Sequence, residues 1–170
     1  MALRRGDRIL VDTNVILESH RIDCWQAVVG EFQLLTVEKV IEETQTGHQR
    51  RSPEVQIDES TLRQTFQQIA LVSRKQIAAF NLEHPDHGLD DGERDLVIYA
   101  ASLSDEPYWL LNSPDKGTIR FCNEVNWLDR LVSLEAMAAT LSLPHVSKLR
   151  GNYTASWLRQ QINQFRFGLY

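Results

Sequence analysis

At 170 residues, 42% of them hydrophobic, the chain can bury one sizeable core and is too short for two comfortable domains. Its net charge of −5 excludes a protein that holds nucleic acid by a basic surface alone, and no segment approaches the ~20 apolar residues of a membrane span. The basic start, with Arg4, Arg5 and Arg8, is followed only by Ile9-Leu10-Val11 before Asp12. That is far short of the ~7–15 apolar residues of a signal-peptide core, so a cytoplasmic location is expected. Cys24 and Cys122 have neither CxxC nor zinc-ligand spacing and are expected to be reduced, buried thiols.

Taken in chain order, Arg8 to Val11 reads as a short buried strand with Asp12 at its carboxyl end. A helix then begins near Asn14, with Thr13 or Asn14 as its cap. Cys24 to Phe32 has apolar residues at helical spacing, Gln33 to Thr36 reads as a strand, and Val37 to Thr46 as a helix stopping at Gly47. His48 to Asp58 is a polar connector. Ser60 to Leu82 is one long amphipathic stretch, with Leu62, Phe66, Ile69, Ala70 and Val72 near a helical period. Asn81 to Gly92, rich in His, Asp, Pro and Gly, reads as a loop. Glu93 to Ser104 is a helix, Tyr108 to Leu111 a strand, Gly117 to Glu124 a helix, Asp129 to Ser133 a last strand and Leu134 to Leu141 a helix.

Strands alternating with helices predict an α/β fold, a mostly parallel central sheet covered on both faces. Residues 1–141 would form the domain. Residues 142–170 would form a helical tail that packs on that domain or on a partner. In such sheets ligands bind beyond the carboxyl ends of the strands. Asp12 and Asp115 each follow a strand, Glu43 lies in a helix, and Glu93 and Asp95 open one. Gathered together, these acids would repel one another unless a cation or raised pKa values relieved them. An all-oxygen set favours Mg²⁺ or Mn²⁺ over zinc, and such ions hydrolyse phosphodiesters.

Four segments carry a family resemblance. Ile9-Leu10-Val11-Asp12-Thr13-Asn14 resembles the opening motif of PIN domains, a hydrophobic strand followed by Asp-Thr-Asn. Glu42-Glu43-Thr44-Gln45-Thr46-Gly47 resembles the second motif, a helical Glu four residues before Gly. Asp95-Leu96-Val97-Ile98-Tyr99-Ala100-Ala101 resembles the third, and Leu110-Leu111-Asn112-Ser113-Pro114-Asp115-Lys116 the fourth. The likeness runs from residue 8 to about 140. It implies a three-layer α/β/α sandwich and a Mg²⁺- or Mn²⁺-dependent endoribonuclease, like the VapC-type toxins of bacterial toxin–antitoxin pairs or stand-alone bacterial PIN proteins. RNA would be the substrate, and the resemblance admits an antitoxin, another protein or a second copy as partner.

On this resemblance Asp12, Glu43, Asp95 and Asp115 are the catalytic residues and, with Glu93, the metal ligands. Asn14, Ser113, Lys116 and Arg120 would support them or meet substrate phosphates. Glu93 and Asp95 are two apart and point about 200° away from each other on a regular helix. Asp95 is the first choice and Glu93 the second. Asp91 would share the face of Asp95 if the helix began early, which Gly92 argues against. The fourth motif departs from the family: Asn112 stands where Thr or Ser is usual, and Ser113 and Pro114 intervene before Asp115.

Each residue has a plainer role too: Asp12 as a helix-terminal anion, Asn14 as a cap, Glu43 as an exposed charge, Asp90, Asp91 and Glu93 as complements to a helix dipole. A haloacid-dehalogenase-type phosphatase needs an acid at position 14, where Asn14 stands. A receiver domain needs paired acids on the first strand, which offers one. The serious rival is a catalytically weak PIN-like module binding RNA or protein. Its tail aromatics Trp157, Phe165, Phe167 and Tyr170, with Arg159 and Arg166, would stack on bases or dock a partner.

Overall fold

The computed structural model describes residues 3–104, 107–143 and 146–170. Four strands form one parallel sheet: β1 (Arg8–Val11), β2 (Gln33–Val37), β3 (Gln68–Ala70) and β4 (Trp109–Asn112), in the order β3-β2-β1-β4. Among the described residues nine helices connect and cover them: α1 (Thr13–Arg21), α2 (Trp25–Glu31), α3 (Glu38–Gln45), α4 (Glu59–Arg63), α5 (Arg74–Glu83), α6 (Asp91–Ser102), α7 (Lys116–Glu124), α8 (Leu134–Ala139) and α9 (Ala155–Arg166). The result is the expected three-layer α/β/α arrangement. β1 carries Ile9, Leu10 and Val11, all fully buried, as a strand sandwiched on both faces must.

The chain steps outward from β1 to β2 to β3, then crosses back to place β4 on the other side of β1. That reversal opens a crevice at the carboxyl ends of β1 and β4, where such sheets bind ligands. Asp12 follows β1 there, and Ser113 and Asp115 follow β4. Asn112 ends β4 fully paired with Val11 in register. Its amide donates to Val132 O (3.1 Å) and accepts from Leu134 N (3.3 Å), so the residue ties β4 to α8.

Three expectations need correction. The stretch from Ser60 to Leu82 is not one amphipathic run: α4 ends at Arg63, Gln68 to Ala70 pair with β2 as an edge strand, and Ser73 opens α5 with a capping box to Gln76. Short apolar runs look alike in either period, and pairing with β2 decides this one. The strand expected over Asp129–Ser133 is reduced to one parallel bridge, Leu111 with Leu131. Leu128–Arg130 turn in a 3-10 helix, so the chain meets the sheet only afterwards. The cap of α1 is neither Thr13 nor Asn14 but Asp12, whose Oδ1 accepts from Val15 N at 3.0 Å.

Both cysteines are free and buried. The tail lies against its own domain. Tyr153 and Leu158 belong to the main core, Trp157, Ile162 and Phe165 pack on it, and Ala155 N donates to Glu135 Oε2 at 2.6 Å. Phe167 and Tyr170 are exposed. Among the described residues no helix is long and apolar enough to cross a membrane.

Candidate functional site

The sharp exit from β1 into α1 leaves Asp12 extended at the strand end, 3% exposed. With Oδ1 spent on the helix cap, Oδ2 is buried with no hydrogen-bond partner. An unmet carboxylate oxygen in the interior is costly, and native structures seldom keep one without a use. Burial pushes the Asp12 carboxyl up to about 7, with Asp115 and Asp90 adding repulsion and the Ser113 hydroxyl and Val15 amide opposing it.

Glu43 reaches the same spot from α3. Thr13 Oγ1 donates to its Oε2 at 2.6 Å, and Gly92 N to its Oε1 at 3.1 Å. Burial raises its pKa as well. Gly92 is a steric requirement: a Cβ there would stand 2.8 Å from the Glu43 carboxyl carbon.

Glu93 arrives through a reciprocal cap at the start of α6. Asp90 Oδ1 accepts from Glu93 N (2.9 Å), and Glu93 Oε2 accepts from Asp90 N (3.2 Å). This box bends the Glu93 side chain back past the helix start. Its carboxyl is pushed up to about 8, first by burial and then by the charges of Asp115 and Asp90. Asp115 caps α7, its Oδ1 accepting from Gly117 N at 2.6 Å and Thr118 N at 3.4 Å.

Asp12, Glu43, Asp90 and Glu93 line a small cavity with Thr13, Asn14 and Gly92. Its accessible space, about 20 Å³, is enough for roughly one water or ion. The chain matches no protein-family model, no curated protein and no solved structure.

Asp12, Glu43, Glu93 and Asn14 are therefore brought together, with Asp115 close enough for its charge to act on Asp12 and Glu93. Ser113 is buried beside them, and its hydroxyl accepts from Asp115 N at 3.4 Å. Asp95 does not join them. Its Oδ1 accepts from Arg94 Nε (3.0 Å) and Nη2 (2.8 Å), and it does not line the cavity. The order of preference between Glu93 and Asp95 is thus reversed. The physical reason is that α6 does start early, at Asp91 with Gly92 inside it, and its capping box aims Glu93.

Lys116 is exposed at the start of α7. Arg120 is spent elsewhere, its Nη2 donating to His87 O at 2.8 Å. His87 Nδ1 accepts from Leu89 N, and His84 packs on Phe80 and Phe121. Thr13, Asp90 and Gly92 were not singled out from the sequence as site residues. The Asp90-x-x-Glu93 spacing of a capping box was the signal available.

Among the described residues, no three carboxylate, imidazole or thiolate groups are already set to hold a metal ion. The site's chemistry, though not its preset geometry, suits a hard cation: its donors are all oxygen, Asp12 Oδ2 has no hydrogen-bond partner, and burial raises the Asp12 and Glu93 carboxyls. The oxygens of Glu43 and Glu93 are engaged by the chain's own amides and a hydroxyl.

Proposed function

We propose that the chain is a Mg²⁺- or Mn²⁺-dependent hydrolase of phosphodiester bonds in RNA. The carrying observation is Asp12: its Oδ2 is buried without a hydrogen-bond partner, and it lines a pocket with Glu43, Asp90 and Glu93 and no cationic side chain. Asp12, Glu43 and Glu93 would hold the ion, with Asp90 and Asp115 beside them. A divalent ion there supplies an activated water at neutral pH and a counter-charge for the phosphodiester.

The chain's own groups do the rest. The helix cap from Val15 N fixes Asp12 through Oδ1, with the Ser113 hydroxyl near the carboxyl and no hydrogen bond made to Oδ2. Thr13 and Gly92 orient Glu43 from two sides. Glu93, with a pKa near 8, carries a proton at neutral pH and gives it up when positive charge enters. Similarity to PIN domains in the four segments around Asp12, Glu43, Asp95 and Asp115 supports the choice of RNA.

The test is cleavage of a single-stranded RNA by purified protein. Cleavage is expected with Mn²⁺, not with EDTA, and not in Asp12→Asn. One observation favours a second reading, a non-cutting module for RNA or a protein: the carboxylates are not preset at coordination geometry. RNA binding that survives chelation, with no metal supporting cleavage, would establish that reading instead.

A further inference from the structure

A second cleft lies next to the carboxylate pocket, and Asn14 lines both. Its other walls are Leu17, Glu18 and Arg21 of α1, Ser52 and Val55, and Arg150 and Tyr153 from the tail, enclosing about 160 Å³. The ionisable lining is two arginines against one glutamate, the reverse of the neighbouring pocket and of the chain's −5.

The cleft is built rather than incidental. Glu18 is buried beneath it and holds both arginine-bearing segments. Arg21 Nε and Nη2 donate to its two oxygens at 2.8 and 2.5 Å, and Arg150 donates its main-chain N–H at 3.0 Å. Arg21 Nη2 also reaches Lys148 O, so α1 and the tail are clasped together. The clasp leaves donors over. Arg21 Nη1 makes no hydrogen bond with the described residues, and the Arg150 side chain, 65% exposed, has only Glu18 near its Nε at 3.8 Å. Tyr153 is 7% exposed, lines the cleft, and its hydroxyl donates to none of the described residues. The charges of both Asp12 and Glu18 reach that phenol.

We propose that this cleft is an anion subsite that seats the phosphodiester adjoining the one held at the carboxylate pocket, with Arg150, Arg21 Nη1, the Tyr153 hydroxyl and Asn14 as its donors. This rests on the hydrolase reading, and it names what that reading lacks. A single strand of RNA entering an acidic pocket needs fixed positive charge beside it, and guanidinium is suited to phosphate. The tail is then part of the substrate path, through Arg150 and Tyr153 rather than through its terminal aromatics.

The experiment is fluorescence anisotropy of the full chain with a labelled single-stranded RNA in Ca²⁺, over a range of salt, with the oligonucleotide's length checked afterwards. Arg150→Ala and Tyr153→Phe are each expected to weaken binding about 3–10-fold. Arg150→Ala should also lower the slope of log Kd against log salt by about 0.7, one phosphate contact on a single strand. Arg150→Ala keeps the main-chain bond to Glu18, and an unchanged melting temperature confirms that it folds. Lys75→Ala, on an exposed position of α5, should bind as the parent does. Equal binding by parent, Arg150→Ala and Tyr153→Phe overturns the subsite, as does a parent that binds no RNA. The two readings fail separately: cleavage in Mn²⁺ with KM unchanged in both variants removes the subsite alone. RNA binding weakened as expected in both variants, with no metal supporting cleavage, removes the hydrolase alone.

Discussion

Asp12 caps α1 and Glu18 lies within the same helix, and both are buried, at 3% and 2% exposed. Yet their chemistry diverges. Glu18 has Arg21 in a two-point clasp and Arg150 overhead, and hydrogen bonds from both hold its carboxyl below the ordinary value despite burial. Asp12 has the acids Asp115 and Asp90 acting on it instead, and burial drives it up to about 7. A buried carboxylate is stable when a cation accompanies it. The chain supplies that cation for Glu18, whereas on the proposed reading a divalent ion would supply it for Asp12, Glu43 and Glu93.

The contrast can be broken most severely at Asp12. Asp12→Asn removes the free oxygen while keeping the cap, and should cut metal-dependent RNA cleavage by about 100-fold or more in a gel assay, on the scale of losing a fixed electrostatic group. Gly92→Ala puts a methyl group against the Glu43 carboxylate and should weaken Mn²⁺ binding about 10-fold or more, as loss of a ligand's orienting partner does. The same affinity in Gly92→Ala would show that Glu43 does not ligate in this orientation.

On the other side of the contrast, Glu18→Gln should leave Mn²⁺ affinity intact and cost about 2–3 kcal/mol of stability, because Arg21 loses its charged partner. Thermal unfolding should register it as a fall of roughly 5–10 °C in Tm.

A pH series sharpens the contrast further. The folded-state pKa values of Asp12 and Glu93, about 7 and about 8, lie above those of an unfolded chain near 4. The unfolded state therefore binds fewer protons between these values, and their contribution to stability, fully present below pH ~4, is lost as pH rises through 7–8. Without divalent ions Tm should fall by a few degrees from pH 5 to pH 8, and saturating Mn²⁺ should flatten that slope. A slope untouched by metal would separate the titration from the proposed ligands. The smallest effect is expected at Asp95→Asn. Its buried carboxylate is held by Arg94 outside the cavity, and cleavage should change less than about threefold, as for a residue that does not touch the proposed ion.

Much of this was legible in the chain itself. Buried strands announce themselves as continuous apolar runs, so Ile9 to Val11 and Leu110 to Leu111 were placed, and the acid at the end of β1 followed from the fold class. Gln68 to Ala70 was not, because a three-residue edge strand has too little pattern to show its period, and only hydrogen bonds to β2 define it. Asp12 was expected at the site from its place at a strand end and Glu43 from the PIN-like spacing to Gly47, and both line one cavity. The choice between Glu93 and Asp95 turned on a single turn of backbone. Gly92 looked like a helix breaker, whereas its lack of a Cβ is what lets α6 begin early beside Glu43. The Glu18 clasp was invisible, because it joins residues far apart in the chain whose side chains meet only after the tail folds back.

The most direct measurement is calorimetric titration of the full chain with Mn²⁺ at pH 7 in two buffers of different ionisation enthalpy. Acids held partly protonated by burial must give up protons to a bound cation, so binding should release about one proton per ion, and Asp12→Asn should abolish it. No binding, or binding that releases no protons and persists in Asp12→Asn, would contradict the claim that this pocket is built for a metal.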